Sequence, residues 1–295
     1  MQVEPLQPRR LSGAPVGAPT GSHVTLRADL IALLGRPLAD LPLLPEAAQR
    51  VLSVTADDSC DARSLSEIIR RDPSLAGRLL LIANSPIYAA PSPTTSLQQA
   101  VTRLGMRQVR EVVLMISMQT RLFAVPGFER ELREVFCHAT ATALFAQEIA
   151  RARRLNVEDA FLAGLFHDVG KPVVLQAIMD AKSKAAHEIK VDRTATLALV
   201  EELHPLAGRA LAGAWSLSPS LSHVIEQHHN PDTTLPGVLM VRFADALAHF
   251  AMGDFDVDAA SLLAHPAAEA LNLYSDEIGR LISRSATIAA AAAAL

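Results

Sequence analysis

The step His167-Asp168 carries the most chemistry in the chain, because it follows directly on Ala160-Phe161-Leu162-Ala163-Gly164-Leu165-Phe166. A helix that is apolar on every side is buried all round and delivers whatever follows it into an interior. A carboxylate left there without a partner is costly. A metal ion would remove that cost: imidazole and carboxylate suit divalent Fe, Mn, Zn or Ni, and adjacent ligands can serve one ion or bridge two. A capped or salt-bridged pair at a helix end is the plainer alternative. Lys171, one turn further on, adds an ammonium able to hold a phosphate oxygen.

Other residues join this pair. His138 flanks the core stripe of a long helix, near enough to the buried face to point inward. His204-Pro205 reads as a helix start, with His204 at the cap and the proline at the first position. His228-His229 falls in the last turn of a helix begun at Ser218, where the helix dipole favours a cation. Asp245 stands among Val241, Ala244 and Ala248 and needs a partner. Taken singly, each has an ordinary reading: His138 as a hydrogen-bonded helix-edge residue, the histidine pair as a helix terminus, Asp245 as the partner of a backbone N–H or of Arg242. His23, His187, His223, His249 and His265 read as surface or core residues.

The elements that position these groups are helical. Sustained period-two alternation is missing, and no Asn-Gly or Asp-Gly hairpin occurs. Ser64 with Glu67, and Ser96 with Gln99, fit capping boxes. Asp72-Pro73 opens a helix that runs to Asn84-Ser85-Pro86, Gly105 ends the helix begun at Ser96, and Val109 to Leu122 gives another. Pro126-Gly127 is the joint before a helix from Phe128 to Arg153, with a stripe of Phe128, Leu132, Val135, Ala139, Ala143, Ala146 and Ala150. Asn156 caps the buried helix, and Pro236-Gly237 starts one running to Met252. The expected architecture is all-α and two-lobed: a flexible leader at 1–27, a helical lobe at 28–125, a second helical lobe at 126–285, and an Ala-rich tail at 286–295 that could extend a helix or fray.

Composition narrows the function. Lys+Arg number 27 against 31 Asp+Glu, a net charge of −4, and aromatic residues are 4% of 295. That balance excludes a basic nucleic-acid face, and so few rings exclude a base-stacking platform. Arg70-Arg71, Arg103 with Arg107 and Arg110, and Arg151 with Arg153-Arg154 read as solvated helix faces. Cys60 and Cys137 make neither a disulfide framework nor a paired metal motif. Apolar runs such as 112–116 and 238–241 fall well short of the roughly 20 residues that span a bilayer, and residues 1–24 lack a signal-peptide core. A cytoplasmic protein with neither membrane nor nucleic acid as partner is expected.

In order and spacing, His138, His167-Asp168 and Asp245 resemble the H…HD…D pattern of the HD superfamily of metal-dependent phosphohydrolases. His204 and His228-His229 are similar to the added ligands of its HD-GYP branch. Leu41-Pro42-Leu43-Leu44-Pro45, Asp72-Pro73-Ser74-Leu75, Ala83-Asn84-Ser85, the stretch Ser96 to Gly105 and Trp215 resemble the HDOD family, bacterial signalling output proteins. The resemblance covers roughly residues 35 to 250. It implies an HD-like lobe behind a helical N-terminal lobe, docking of signalling protein partners, and a site for one or two divalent ions. A homodimer and a nucleotide or phosphoester ligand remain open. Two functions follow. In one the chain is a regulatory module whose ion is structural or sensory. In the other it is a phosphohydrolase in which Asp168 bridges two ions and Lys171 neutralises a phosphate oxygen. Between His229 and Pro236 no Gly-Tyr-Pro occurs, which departs from the HD-GYP pattern where the substrate would be chosen.

Overall fold

The computed structural model describes residues 21–34, 46–55, 61–84, 94–117, 125–184, 191–215 and 217–294. Among these the fold is all-α, with no strand. The first helices are α1 (Gly21–Leu34), α2 (Glu46–Thr55), α3 (Ala62–Arg70), α4 (Pro73–Ala83) and α5 (Leu97–Ser117). Helices α6 (Glu129–Arg153), α7 (Val157–Phe166), α8 (Gly170–Lys184), α9 (Arg193–Ala214), α10 (Pro219–Gln227) and α11 (Pro236–Ala251) follow. The chain closes with α12 (Ala259–Leu263), α13 (Pro266–Ala270), α14 (Ser275–Ser283) and α15 (Ser285–Ala294).

Local chemistry explains most boundaries. Asp72 Oδ1 accepts from Leu75 N at 3.2 Å, capping α4 as expected. Helix α3 starts earlier than the Ser64-Glu67 pairing implies: Asp61 Oδ1 accepts from Ser64 N at 2.7 Å, so the serine is already inside the helix, and Glu67 faces Arg63. Ser96 Oγ accepts from Gln99 N at 3.2 Å, but the Gln99 amide reaches back to Thr95 N rather than to Ser96. Gly105 takes φ 79°, a left-handed value that breaks α5 in its middle. Asn84 bonds Leu80 O at 3.0 Å and both the N–H and C=O of Thr94, closing the ends of the segment between them. Leu41 to Pro45, Ser85 and Pro86, and residues 118–122 of the expected fifth helix lie outside the described residues.

One apolar core runs from α1–α5 into α7–α10, and a second lies between α6, α11 and α12–α15. Helix α1 begins within the stretch read as a leader. Leu26, Leu30 and Leu34 are buried, and Arg27 pairs with Glu202 of α9. The expected stripe of α6 is buried throughout, but so are Phe145, Gln147 and Ile149, because α7 and α11 cover it from two sides. The Ala-rich end is helix α15, packed on α6 and α11 through Ile288, Ala291 and Ala292. Arg153 to Glu277, and Arg284 to Glu148, tie these last helices to α6.

The reading of His204-Pro205 as a helix start is corrected: Pro205 lies inside the 22-residue α9. A proline there removes the N–H that would bond the carbonyl of Glu201. His204 Nδ1 takes over that acceptor at 2.7 Å, so the helix continues and the imidazole is locked in place.

Candidate metal centre

The site lies where α7 ends against α6, α9, α10 and α11. Two glycines make this junction close enough. A Cβ on Gly164 would sit 2.6 Å from Ala143 Cα, so α7 and α6 meet backbone to backbone. A Cβ on Gly170 would sit 1.9 Å from His204 O, which brings the start of α8 against the ligand-bearing turn of α9.

The first group consists of Asp168, His204, His228 and His229. His204 Nε2 lies 3.2 Å from His228 Nε2 and 3.0 Å from His229 Nε2. Asp168 Oδ1 is 3.3 Å from His204 Nε2 and 3.5 Å from His228 Nε2. In His204 the Nδ1–H is spent on Glu201 O, and in His228 on Ile225 O at 2.8 Å. A neutral imidazole carries one N–H. The two Nε2 atoms therefore point lone pairs at each other at hydrogen-bond distance, an arrangement that calls for a cation between them.

The second group is His138, His167 and Asp245. His138 Nε2 is 2.7 Å from Asp245 Oδ1, and His167 Nε2 is 3.6 Å from the same oxygen and 3.4 Å from Asp168 Oδ2. His167 Nδ1 donates to Gly164 O at 2.7 Å, turning its Nε2 inward too. The two oxygens of Asp168 thus face different groups. Lys171 Nζ holds Asp168 Oδ2 at 2.8 Å and Glu201 Oε1 at 3.2 Å. Arg242 bonds Pro231 O instead of Asp245, which corrects that alternative.

The electrostatics fit a cation site. Burial opposes ionisation of Asp168, but His167 and Lys171 outweigh it and hold the carboxyl well below its ordinary range. Burial likewise opposes charge on His167, yet Asp168 and Asp245 lift it to about 10. Burial drives His204 down to about 3; His229 is exposed as a residue, but desolvation of its ring against His204 and His228 lowers it to about 4, and both are left neutral and able to coordinate. Among the described residues, His167 Nε2 and Asp168 Oδ1 are buried without a hydrogen-bond partner. Metal–nitrogen bonds of about 2.0–2.1 Å set neighbouring ligand atoms about 3.0 Å apart in an octahedron and about 3.4 Å apart in a tetrahedron. Three of the separations given for the first group, 3.0, 3.2 and 3.3 Å, lie in that range, and the fourth, 3.5 Å, is just above it. The residues fit a divalent ion.

The structure brings all the expected ligands, His138, His167, Asp168, His204, His228, His229 and Asp245, into these two adjoining groups. Consecutive His228 and His229 can converge because α10 ends at Gln227 and both lie in the turn that follows it, His228 as the C-cap. Sequence reasoning missed Glu201, which fixes Lys171, and His249, whose ring lies 4.5 Å from that of His138. A polar residue one turn before His204 pointed to the first; a spacing of four from Asp245 pointed to the second.

Against this geometry, the comparisons with known proteins are decisive for family. The HDOD domain model matches residues 41–231. The chain belongs to the HDOD family. A Shewanella amazonensis protein provisionally named a metal-dependent phosphohydrolase superimposes on this HDOD chain with TM-score 0.71 and 22% identity, covering 92% of this chain and 100% of its own. An HDOD domain protein of unknown function from Geobacter sulfurreducens gives TM-score 0.67 and 22% identity over 92% of this chain and 97% of its own. Both likenesses establish the fold. Ribonuclease Y of Geobacter metallireducens is 31% identical over 119 residues, 39% of this chain. The HDOD chain spans only 18% of that curated relative. No helix among the described residues is long and apolar enough to cross a membrane.

Proposed function

We propose that this HDOD protein is a cytoplasmic signalling output module whose second lobe holds a divalent transition-metal centre with a structural or sensory role. The observation that carries the metal is the facing pair of Nε2 acceptors on His204 and His228, each oriented by a backbone carbonyl. His204, His228, His229 and Asp168 would hold one ion; His138, His167 and Asp245 would hold a second, with Asp168 shared. Enclosure supports retention over turnover. Asp168, His167, His204 and His228 are all buried, and Lys171 is occupied by two carboxylates rather than left for a substrate. The N-terminal lobe would dock protein partners, and α5, which packs on α7, joins it to the helix that leads into His167-Asp168.

Phosphoester hydrolysis is the second reading. His229 is exposed and Asp245 partly so, which leaves one edge of the centre open to a ligand. Divalent ions supply Lewis acidity and activate water near neutral pH. Asp168 would position both ions, and Lys171, kept charged by its two carboxylates, would move from Glu201 to a phosphate oxygen. The two readings separate in one assay. Metal-loaded protein is offered bis(p-nitrophenyl) phosphate and a set of nucleotides beside Asp168→Ala. Background rates in both support the regulatory module, and turnover lost only in the variant would replace it with the hydrolase.

A further inference from the structure

The half-exposed histidine beside the second ligand group is not explained by packing. His249 lies in the last turn of α11, one turn after Asp245, with its side chain 45% exposed. Its Nε2 is 3.7 Å from Asp245 Oδ1, and its ring lies against that of His138. Three imidazole Nε2 atoms therefore lie within 3.7 Å of a single carboxylate oxygen, at 2.7 Å for His138, 3.6 Å for His167 and 3.7 Å for His249.

The turn that ends α11 sets the orientation of this ring. Gly253 takes φ 80°, its N–H bonds Phe250 O at 3.1 Å, and Asp254 N bonds His249 O at 3.0 Å. That pair of bonds is the Schellman arrangement, which needs a left-handed residue at its corner. It swings Asp254 back over the helix end, where Oδ2 stands 3.3 Å from His249 Nδ1. That carboxylate stands beside Nδ1, so Nε2 is the ring nitrogen turned toward Asp245. The negative end of the α11 dipole also favours positive charge at this point.

We infer that His249 is a fourth protein ligand of the outer metal position, closing it from the solvent side, with Asp254 as the carboxylate that orients it. The outer position becomes three imidazoles and a carboxylate, a donor set for a divalent transition ion. The inference rests on the metal-centre reading and adds a residue to it. Carboxylates behind metal-ligating histidines typically contribute about 10–100-fold to affinity.

The test is a titration of the full chain with Co2+ alone, following d–d absorption and bound stoichiometry, for wild type, His249→Ala and Asp254→Asn. The expected result is two equivalents in wild type. In His249→Ala one of them weakens by at least about 10-fold with a changed absorption band, and in Asp254→Asn the loss is smaller with the band kept. Melting in chelator checks the fold, and the half-exposed side chain leaves it unchanged. Wild-type affinity and spectrum in His249→Ala overturn the inference while the metal centre stands. Failure of the wild type to bind Co2+ overturns the centre itself.

Discussion

Replacing Gly170 by alanine is the sharpest perturbation of the architecture behind the site. The added Cβ would lie 1.9 Å from His204 O, 2.6 Å from Gly208 N and 2.8 Å from His204 C. All three are backbone atoms, so no side chain can swing aside. Reaching ordinary contact near 3.4 Å means moving α8 from α9 by about 1.5 Å. Overpacking typically costs about 1–3 kcal/mol, and backbone obstacles place this case near the upper figure. At about 2–4 °C per kcal/mol, the melting temperature should fall by about 6–12 °C. The same displacement moves His204 away from His228 and His229, so metal affinity should fall with stability. Gly213→Ala on the same helix is the control: nothing lies within 4 Å of its Cβ, and removing a helical glycine should add up to about 1 kcal/mol. Urea unfolding in chelator, paired with metal titration, reads both quantities. A Gly170→Ala protein with wild-type stability and affinity would refute the close approach of α8 and α9.

Asp168→Asn should abolish metal binding. In chelator it should also destabilise the fold by about 3–5 kcal/mol, because Lys171 and His167 lose their shared carboxylate; chemical denaturation measures it. The pH profile of the metal-free protein should peak near neutrality. His167, raised to about 10 against burial by Asp168 and Asp245, contributes stability that is complete below its unfolded value and is lost as pH rises through 10. His204, held near 3 by burial, costs stability as pH drops below the unfolded histidine range. Bound metal replaces the His167 proton, so melting curves at pH 7 to 10 should flatten when the ion is present. Ile288→Ala should cost about 2–4 kcal/mol if α15 is part of the second core, read by thermal melting.

How much of this was legible depends on whether the signal was local. The apolar run before His167 announced a buried His-Asp step, and the order of the histidines and aspartates resembled a known pattern, so the residues that the fold gathers into two groups could be named one by one. Asn156, Ser218 and Asp72 capped where expected because an N-cap needs only its own turn. His204-Pro205 misled for the opposite reason. Proline marks a helix start unless something replaces its missing N–H, and the replacement here is a side chain whose direction sequence does not show. At Ser64 the expected cap lies inside the helix, because the Asp61 carboxylate three residues earlier accepts from Ser64 N. His249 stayed hidden because its environment comes from the Gly253 turn and from α6 across the junction. The Ala-rich end looked undetermined, yet small side chains let α15 approach α6 and α11 closely, with Ile288 as its anchor.

The central claim is that Asp168 joins two metal positions. The most direct measurement is elemental analysis of wild type and Asp168→Ala after loading with Fe, Mn, Zn or Ni in turn and removing free ion. Two equivalents of transition metal per chain are expected in the wild type, and both should be lost in the variant. A wild type that retains none of the four ions, or a variant that retains both equivalents, would contradict it.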